Sequence, residues 1–174
     1  MKKTAITTTL LCGASLLTSA PAFADEGGGA TFDTEYTGTF TMSFGTGPGY
    51  THELDFSGSG QGTQIGLADV DGSSLLQSID ASCMEIVDDL IVMTAANGDE
   101  VHVVAAAIDC LEFTAEGPRI VGSGTWEVIG GTGRFADATG GGTQTTVAPI
   151  YVLGAGSGSG VFTLNFEGVI DHGE

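Results

Sequence analysis

The sequence predicts an all-β protein, an antiparallel up-and-down barrel of about eight strands with one disulfide linking the arms of a hairpin. Three observations indicate this fold. Apolar and polar residues alternate along most of the chain, as in strands that bury one face. Glycine-rich turn signals recur at the short spacing of an antiparallel sheet. Glycines also occur inside strand-like runs, where the wall of a barrel has to bend.

The N-terminal residues have the pattern of a cleaved secretory signal. A positive "MKK" precedes a small and apolar segment, and "AFA" at 22–24 fits cleavage after Ala24. The apolar run is too short for a transmembrane helix, and no second hydrophobic stretch of about 20 residues follows. We therefore predict a signal peptide at 1–24, a flexible segment at 25–30 and a single β-barrel domain at 31–174. The protein is expected in the periplasm or outside the cell, without membrane insertion.

Cleavage of the signal leaves a strongly acidic chain. Lys2 and Lys3 are lost with it, so Arg119 and Arg134 stand against 22 carboxylates, a net charge of −20. Such a charge argues against nucleic acid or an anionic membrane as a partner, because neither can release counterions to it favourably. The carboxylates are scattered along the chain, which favours solubility or adaptation to salt over an acidic binding surface.

Strand signals follow one another from residue 32 onward. Between Phe32 and Phe44 the even positions are mostly apolar and the odd positions polar, and the same phase resumes at His52, Leu54 and Phe56. Further candidates are "GQGTQIGLADV", "SLLQSID", the arms around Asn97-Gly98, "RIVGSGTWEVI", "GTQTTVAPIYV" and "GVFTLNFEGVI". The last run is as apolar as the first and can pair with it. This pairing leaves no open edge, which favours a barrel over a sandwich.

Two cysteines remain after signal cleavage, Cys83 and Cys110, and an exported protein is expected to pair them. Asn97-Gly98 between them is a strong hairpin signal. A turn centred on this dipeptide sets Cys83 two places from direct opposition to Cys110, a gap that a bulge or longer loop closes. The disulfide contributes about 3.5 kcal/mol in the chain-entropy model. A metal-binding pair is disfavoured because no C-x-x-C spacing or histidine cluster accompanies it.

The stretch "GGTGRFADATGGG" contains G-x-G-x-x-G/A spacing, at Gly131, Gly133 and Ala136. A dinucleotide site needs a helix after these glycines, but glycines and β-branched residues follow instead. The stretch is therefore predicted to be a structural loop, in which Arg134 pairs with Asp137 and Phe135 turns inward to close the barrel end. The predicted loop residues are Gly130, Gly131, Gly133, Arg134, Phe135 and Asp137.

The run "VIGGTGRFADATGGGTQTTV" resembles the signature stretch of the allene oxide cyclase and dirigent barrel superfamily, in which a strand leads into G-G-T-G-[RK]-F. With the earlier "TAANGDEV" it also resembles a group of bacterial exported proteins without an assigned activity. The resemblance implies an eight-stranded barrel with a central cavity. It further implies cyclisation or radical coupling of apolar small molecules without a cofactor, and a possible homo-oligomer. The acidic catalytic residues of plant members lie outside this stretch, so no catalytic residue is transferred.

Three side chains are predicted to orient an apolar ligand: Tyr36, His52 and Trp126. His52 is in phase with Leu54 and Phe56 and is expected to point inward near the barrel mouth, although a structural histidine is the alternative. Trp126 is expected on the same inner face as Ile120 and Val128, where a core residue is favoured over a ligand platform, although the two roles overlap in a hollow barrel. Small residues at interior positions would leave the cavity partly unfilled; they are Ala105, Ala107, Gly122 and Gly124.

Acidic residues that are close in sequence are candidates for catalytic or metal sites. "DVDGS" lacks the rest of a calcium loop and is predicted to be a tight turn. Asp88 and Asp89 alternate across a strand, so they cannot share a substrate. No metal site and no catalytic residue are therefore predicted.

Two functions remain. The first is a barrel that binds an apolar small molecule. In an extended version of this function, the barrel also steers the cyclisation or coupling of that molecule. The second is a non-catalytic exported module with a structural, surface or stress-related role and a packed interior. The free volume and lining of the barrel interior distinguish them.

Overall fold

The computed structural model describes residues 29–45 and 50–173, which form one closed antiparallel barrel. The strands are Ala30–Phe44 (β1), Thr51–Gly62 (β2), Gly66–Ser78 (β3), Cys83–Ala95 (β4), Glu100–Thr114 (β5), Gly117–Gly131 (β6), Thr139–Leu153 (β7) and Ser157–Asp171 (β8), and a short 3₁₀ helix covers Gly133–Phe135. The predicted fold class is confirmed. The predicted signal peptide and most of the "GTGPG" turn lie outside the described residues.

Each strand pairs with its neighbour in sequence, and β8 returns to pair with β1 along almost its whole length, from Ala30 opposite Ile170 to Ser43 opposite Ser157. This pairing removes the two open edges that an eight-stranded sheet would otherwise expose. The alternation seen in the sequence therefore separates an inner face from an outer one. No helix within the described ranges is long and apolar enough to span a membrane.

The β4–β5 hairpin differs from its prediction in the turn. The Ala95 N–H donates to the Asp99 carbonyl at 2.8 Å and closes a three-residue loop, in which Gly98 adopts a φ of 87° that favours glycine. A register shift between Glu85 and Ile91 adds to this longer loop. The longer loop and the register shift together bring Cys83 opposite Cys110, with 4.1 Å between their Cα atoms. The predicted disulfide is confirmed.

The prediction of a tight turn at "DVDGS" is wrong. Asp69 and Asp71 lie in the middle of β3 and face outward, while Val70 between them is fully buried. The reversal of the chain occurs earlier, at Thr63–Ile65, so that "GQG" belongs to the end of β2. The Asp-Gly signal is overridden here because the buried Val70 keeps the segment in a strand.

The loop after β6 closes one end of the barrel. Phe135 is fully buried, as predicted, and its ring stacks on His172 at 5.0 Å. The predicted pairing of Arg134 with Asp137 is wrong, because the 3₁₀ helix turns Arg134 toward other turns at this end. Its Nη2 donates to the Ile65 carbonyl at 3.2 Å, and its Nε lies 3.7 Å from the Asp99 carboxylate. Arg134 thus ties together the β2–β3, β4–β5 and β6–β7 connections.

We expect Arg134→Ala to lower the free energy of unfolding by about 1 kcal/mol, because a charged donor is lost from a backbone carbonyl at the junction of three turns. Denaturant titration measures this loss. Arg119→Ala is the matched control, since Arg119 pairs with Glu112 on the exposed surface and should contribute less than about 0.5 kcal/mol. Equal losses in both variants would contradict the role of Arg134 at the closed end.

Candidate functional site

The barrel interior has a packed half and a hollow half. Near the start of β1, four large rings fill the interior, with centroids 5.3 Å apart for Phe32 and Trp126 and 5.8 Å apart for Trp126 and Phe166. Tyr36 meets Phe166 edge-to-face at 6.4 Å. Toward the other end, two adjoining cavities remain, with volumes of about 190 Å³ and about 50 Å³. The larger is called the mouth cavity and the smaller the inner cavity.

The mouth cavity lies beneath the β3–β4 turn, which the disulfide at Cys83 anchors to β5. His52 lines it, as predicted, with its ring edge-to-face against Phe44. His52 Nε2 lies 2.8 Å from Ser78 Oγ, and His52 Nδ1 is buried without a partner among the described residues. Burial lowers the pKa of His52, so the imidazole is neutral at neutral pH. The mouth therefore offers one neutral polar group on an apolar wall.

The inner cavity lies deeper, and Phe40 and Ile120 line both cavities at their boundary. Its walls are mainly aromatic and aliphatic, with Phe56 and Phe162 in edge-to-face contact at 5.4 Å. The exceptions are five polar side chains that line the same space: Ser74, Asp89, Asp109, Gln144 and Thr146. This combination of an apolar wall with a few converging polar groups is typical of a small-molecule site.

Asp89 occupies the one interruption in the β4–β5 ladder. Backbone pairing stops at Glu85 and resumes at Ile91, and the Asp89 carboxylate fills the gap. Its Oδ2 accepts the Ala105 N–H at 2.9 Å, and its Oδ1 accepts the Ser74 hydroxyl at 2.5 Å. Two donors from different strands thus hold this carboxylate in place. Asp88 points outward, so the two neighbouring acids do lie on opposite faces, as predicted.

Asp109 reaches the same cavity from β5. It pairs across the sheet with Gly122 of β6, and a side chain at Gly122 would overlap the Asp109 carboxyl. The glycine therefore makes the room that this carboxyl needs. Asp109 is only 5% exposed, and no hydrogen bond from the described residues reaches its carboxyl.

The two carboxyls share an environment that favours protonation. Burial raises the pKa of Asp89 to about 6, opposed by its hydrogen bonds from Ser74 and Ala105. Burial also raises the pKa of Asp109 to about 6, and the charge of Asp89 adds to the shift. Because its two donors favour the ionised form, Asp89 is the acceptor of the pair. Asp109 lacks such donors, so nothing among the described residues offsets the cost of burying its charge.

Gln144 adds another acceptor. Its side chain is 4% exposed, and Oε1 has no hydrogen-bond partner within the described part of the chain. A buried polar atom without a partner is costly, so it points to a group that a ligand or water supplies. The Gln144 amide and the Thr146 hydroxyl also carry donors, but the four oxygens of the Asp89 and Asp109 carboxylates leave the inner cavity with more acceptors than donors.

Ser74 and Asp89 also border a depression on the outer wall. Its other acidic side chains are Glu53, Asp55 and Asp88. The depression and the inner cavity share Ser74 and Asp89, which pair across β3 and β4, so negative charge lies on both sides of the wall. In residues 29–45 and 50–173, no group of three or more His, Cys, Asp or Glu side chains is arranged to hold a metal ion.

The structure separates the three side chains predicted to orient a ligand. His52 lies at the mouth, whereas Tyr36 and Trp126 are in the packed half, and Trp126 donates from Nε1 to the Glu167 carbonyl at 3.3 Å. Neither ring lines the mouth cavity or the inner cavity. Burial raises the pKa of Tyr36 above its ordinary value. Their ligand-orienting roles stay predictions.

Sequence reasoning named Asp89 only to reject it as a catalytic pair with Asp88, and it did not single out Asp109, Ser74 or Gln144. A signal for Asp109 was present, since it is in phase with Val103 and Ala105 on the inner face of β5. Both faces of β5 are apolar, however, so periodicity alone could not say which was inside. Asp89 was obscured because the register shift changes which positions of β4 face inward.

No protein-family model matches the chain, and no curated protein matches it. Among solved structures, it is similar to the pterocarpan synthase dirigent protein GePTS1, with 16% identity over 83% of this chain and 88% of that chain and a TM-score of 0.43. It is also similar to the pterocarpan synthase dirigent protein PsPTS1, with 12% identity over 78% of this chain and 95% of that chain and a TM-score of 0.36.

The fold of this chain is a closed antiparallel barrel of eight strands. The two solved structures named above are dirigent proteins. At these identities the likeness concerns the fold and not what this barrel binds. Its ligand chemistry has to come from the residues that line its own cavities.

We expect Asp109→Asn to stabilise the protein at pH 7. The pKa of about 6 in the folded state lies above the ordinary 3.8. The carboxyl therefore contributes its full stability below about pH 4 and loses it as the pH rises through 6. A shift of this size corresponds to about 3 kcal/mol. Because the amide is itself buried and polar, the expected gain is about 1–2 kcal/mol at pH 7.

Unfolding in denaturant at several pH values checks this, with Asp71→Asn as the matched control because Asp71 is exposed on the outer wall. The control removes the same charge and should shift stability by less than about 0.5 kcal/mol. The stability of the Asp109→Asn variant should also depend less on pH between about 4 and 7. A loss of stability at pH 7 would show that Asp109 is not a strained carboxyl.

Proposed function

We propose that this protein is an exported barrel that binds a small, largely apolar molecule in the mouth and inner cavities without a cofactor. One observation carries the proposal. Asp89 and Asp109 are buried in an otherwise apolar cavity, and no cation of the described residues pairs with them. Burying carboxyls in this way opposes folding, so a barrel used only as a packed scaffold would gain nothing from it.

The cavity sizes set the scale of the ligand. An engineered cavity of about 150 Å³ in another protein takes up benzene. The mouth cavity of about 190 Å³ therefore suits an apolar body of about one ring, and the inner cavity suits its polar end. His52 lies where it can contact the apolar body or an adjacent oxygen. Tyr36 and Trp126 support the cavity from below through packing.

The carboxyl pair supplies acid–base chemistry for steering a cyclisation or coupling. Asp109 holds a proton to a higher pH than an ordinary carboxyl and can donate it to a bound molecule. Asp89 is fixed as an acceptor and can take a proton from another atom of the same molecule. One transfer of each kind leaves the pair with an unchanged number of protons. No external oxidant or reductant enters this step.

The alternative is a non-catalytic structural, surface or stress-related module. The packed aromatic half of the barrel favours it, because Phe32, Trp126 and Phe166 already provide a rigid core. In this case the two cavities hold only water.

Native purification followed by mass spectrometry of extracted small molecules tests the proposal. We expect the exported protein, with a mature mass that begins at Asp25, to retain a small molecule. Ala148→Phe should abolish retention, because Ala148 lines the inner cavity and a ring there fills about its whole volume. Tryptophan fluorescence is a poor readout, since Trp126 lines neither cavity. Wild type and Ala148→Phe that are equally empty, and that bind no member of a panel of apolar molecules, would favour the structural module.

A further inference from the structure

We propose that the molecule bound in the inner cavity is an organic cation, an apolar body that carries a protonated amine held between Asp89 and Asp109. This inference rests on the proposed function, because it names the chemical class of the ligand for the same site. It follows from the charge, the hydrogen-bonding groups and the walls of the cavity.

No cation of the described residues compensates the charge of the cavity. The arginines of the described residues lie elsewhere, with Arg119 paired to Glu112 on the surface and Arg134 bound at the closed end. His102 pairs with Glu100, and His172 stacks on Phe135. His52 lies in the mouth cavity, where burial favours its neutral form. A positive charge beside Asp89 and Asp109 therefore has to come from the bound molecule.

The polar atoms of the cavity match the donors of an ammonium group. Asp109 has no donor from the described residues, Gln144 Oε1 is buried without a partner, and Asp89 has lone pairs beyond its two hydrogen bonds. An alkylammonium group has three N–H donors and no acceptor. A hydroxyl has one donor, and its own lone pairs would face carboxylate oxygens. The acceptor-rich cavity therefore suits an amine better than an alcohol.

The apolar walls are compatible with the same ligand. Phe40, Phe56 and Phe162 line the inner cavity, and aromatic faces attract cations in a desolvated site. On the outer wall, Glu53, Asp55 and Asp88 surround the depression that meets Asp89. These carboxylates, together with the acidic surface of the chain, attract cations toward the barrel and repel anions. Carboxylate and phosphate ligands are excluded for the same reason.

Calorimetric titration with a matched pair of probes tests the inference on the mature, disulfide-bonded protein. Phenethylamine and phenethyl alcohol differ only in the ammonium and hydroxyl groups. At about pH 7.5 we expect the amine to bind at least about tenfold more tightly, because charge-assisted hydrogen bonds are stronger than neutral ones. At about pH 4.5 this preference should fall to about threefold or less, since both carboxyls then carry protons.

Substitutions of the cavity residues show where the amine binds. Asp109→Asn should weaken amine binding at least about tenfold and change alcohol binding by less than about threefold. Gln144→Met, which removes the acceptor Oε1 with the rest of the amide and keeps the side-chain length, should also weaken amine binding. Asp71→Asn is the control for general electrostatics and should leave amine affinity within about twofold, because Asp71 lies on the outer wall away from both cavities.

The outcomes separate the two proposals. Alcohol binding that equals or exceeds amine binding at about pH 7.5 would overturn the cation inference and leave the small-molecule site standing. Amine binding that is unaffected by both cavity variants, or reduced as strongly by Asp71→Asn, would also overturn it. If neither probe binds and native purification yields an empty protein, the proposed function fails together with the inference.

Discussion

The hydrogen bonds of Asp89 hold the barrel wall together where the β4–β5 ladder is interrupted, and the geometry of the candidate site depends on them. Between Glu85 and Ile91 the β4–β5 ladder loses its backbone partners, and the Asp89 carboxylate replaces one of them by accepting the Ala105 N–H, while the Ser74 hydroxyl of β3 donates to its other oxygen. A gap in a sheet leaves polar backbone groups without partners, which opposes folding. A buried acidic side chain is tolerated here because it satisfies one of these groups while facing the cavity.

The same interruption aligns the disulfide. Near the hairpin turn, Ile91 lies opposite Val103, and without a shift this register would set Cys83 opposite Leu111. The shift places Cys83 opposite Cys110, and the disulfide then anchors the β3–β4 turn over the mouth cavity. One local irregularity thus positions an acidic group, a covalent link and the cover of the cavity. Bulges next to functional sites are common because they redirect side chains without ending the sheet.

The two halves of the barrel have different roles. The rings of Phe32, Trp126 and Phe166 bury a large apolar area in the packed half, and Phe135 closes that end. This packing stabilises the fold enough to tolerate two destabilising features in the other half. One is the unfilled volume, and the other is the pair of buried carboxyls that no cation of the described residues contacts. An enclosed site of this kind needs a rigid floor, since side chains that bind a ligand must already be in place. The position of Trp126 in this floor explains why a residue that resembles a ligand platform in sequence lines no cavity.

The sequence by itself determined the barrel and its disulfide. Alternation with period two, turn spacing and an apolar last strand specify the inner face and closure, because these features depend on local geometry.

Only the tertiary structure decided the site. Asp89 and Asp109 are distant in sequence and meet through a register shift, and Arg134 bonds to Ile65 instead of the nearby Asp137. The apolar faces on both sides of β5 made its inner face ambiguous, and burial of Val70 kept "DVDGS" in a strand. Contacts of this kind depend on which strands lie side by side, and a local pattern does not carry that information.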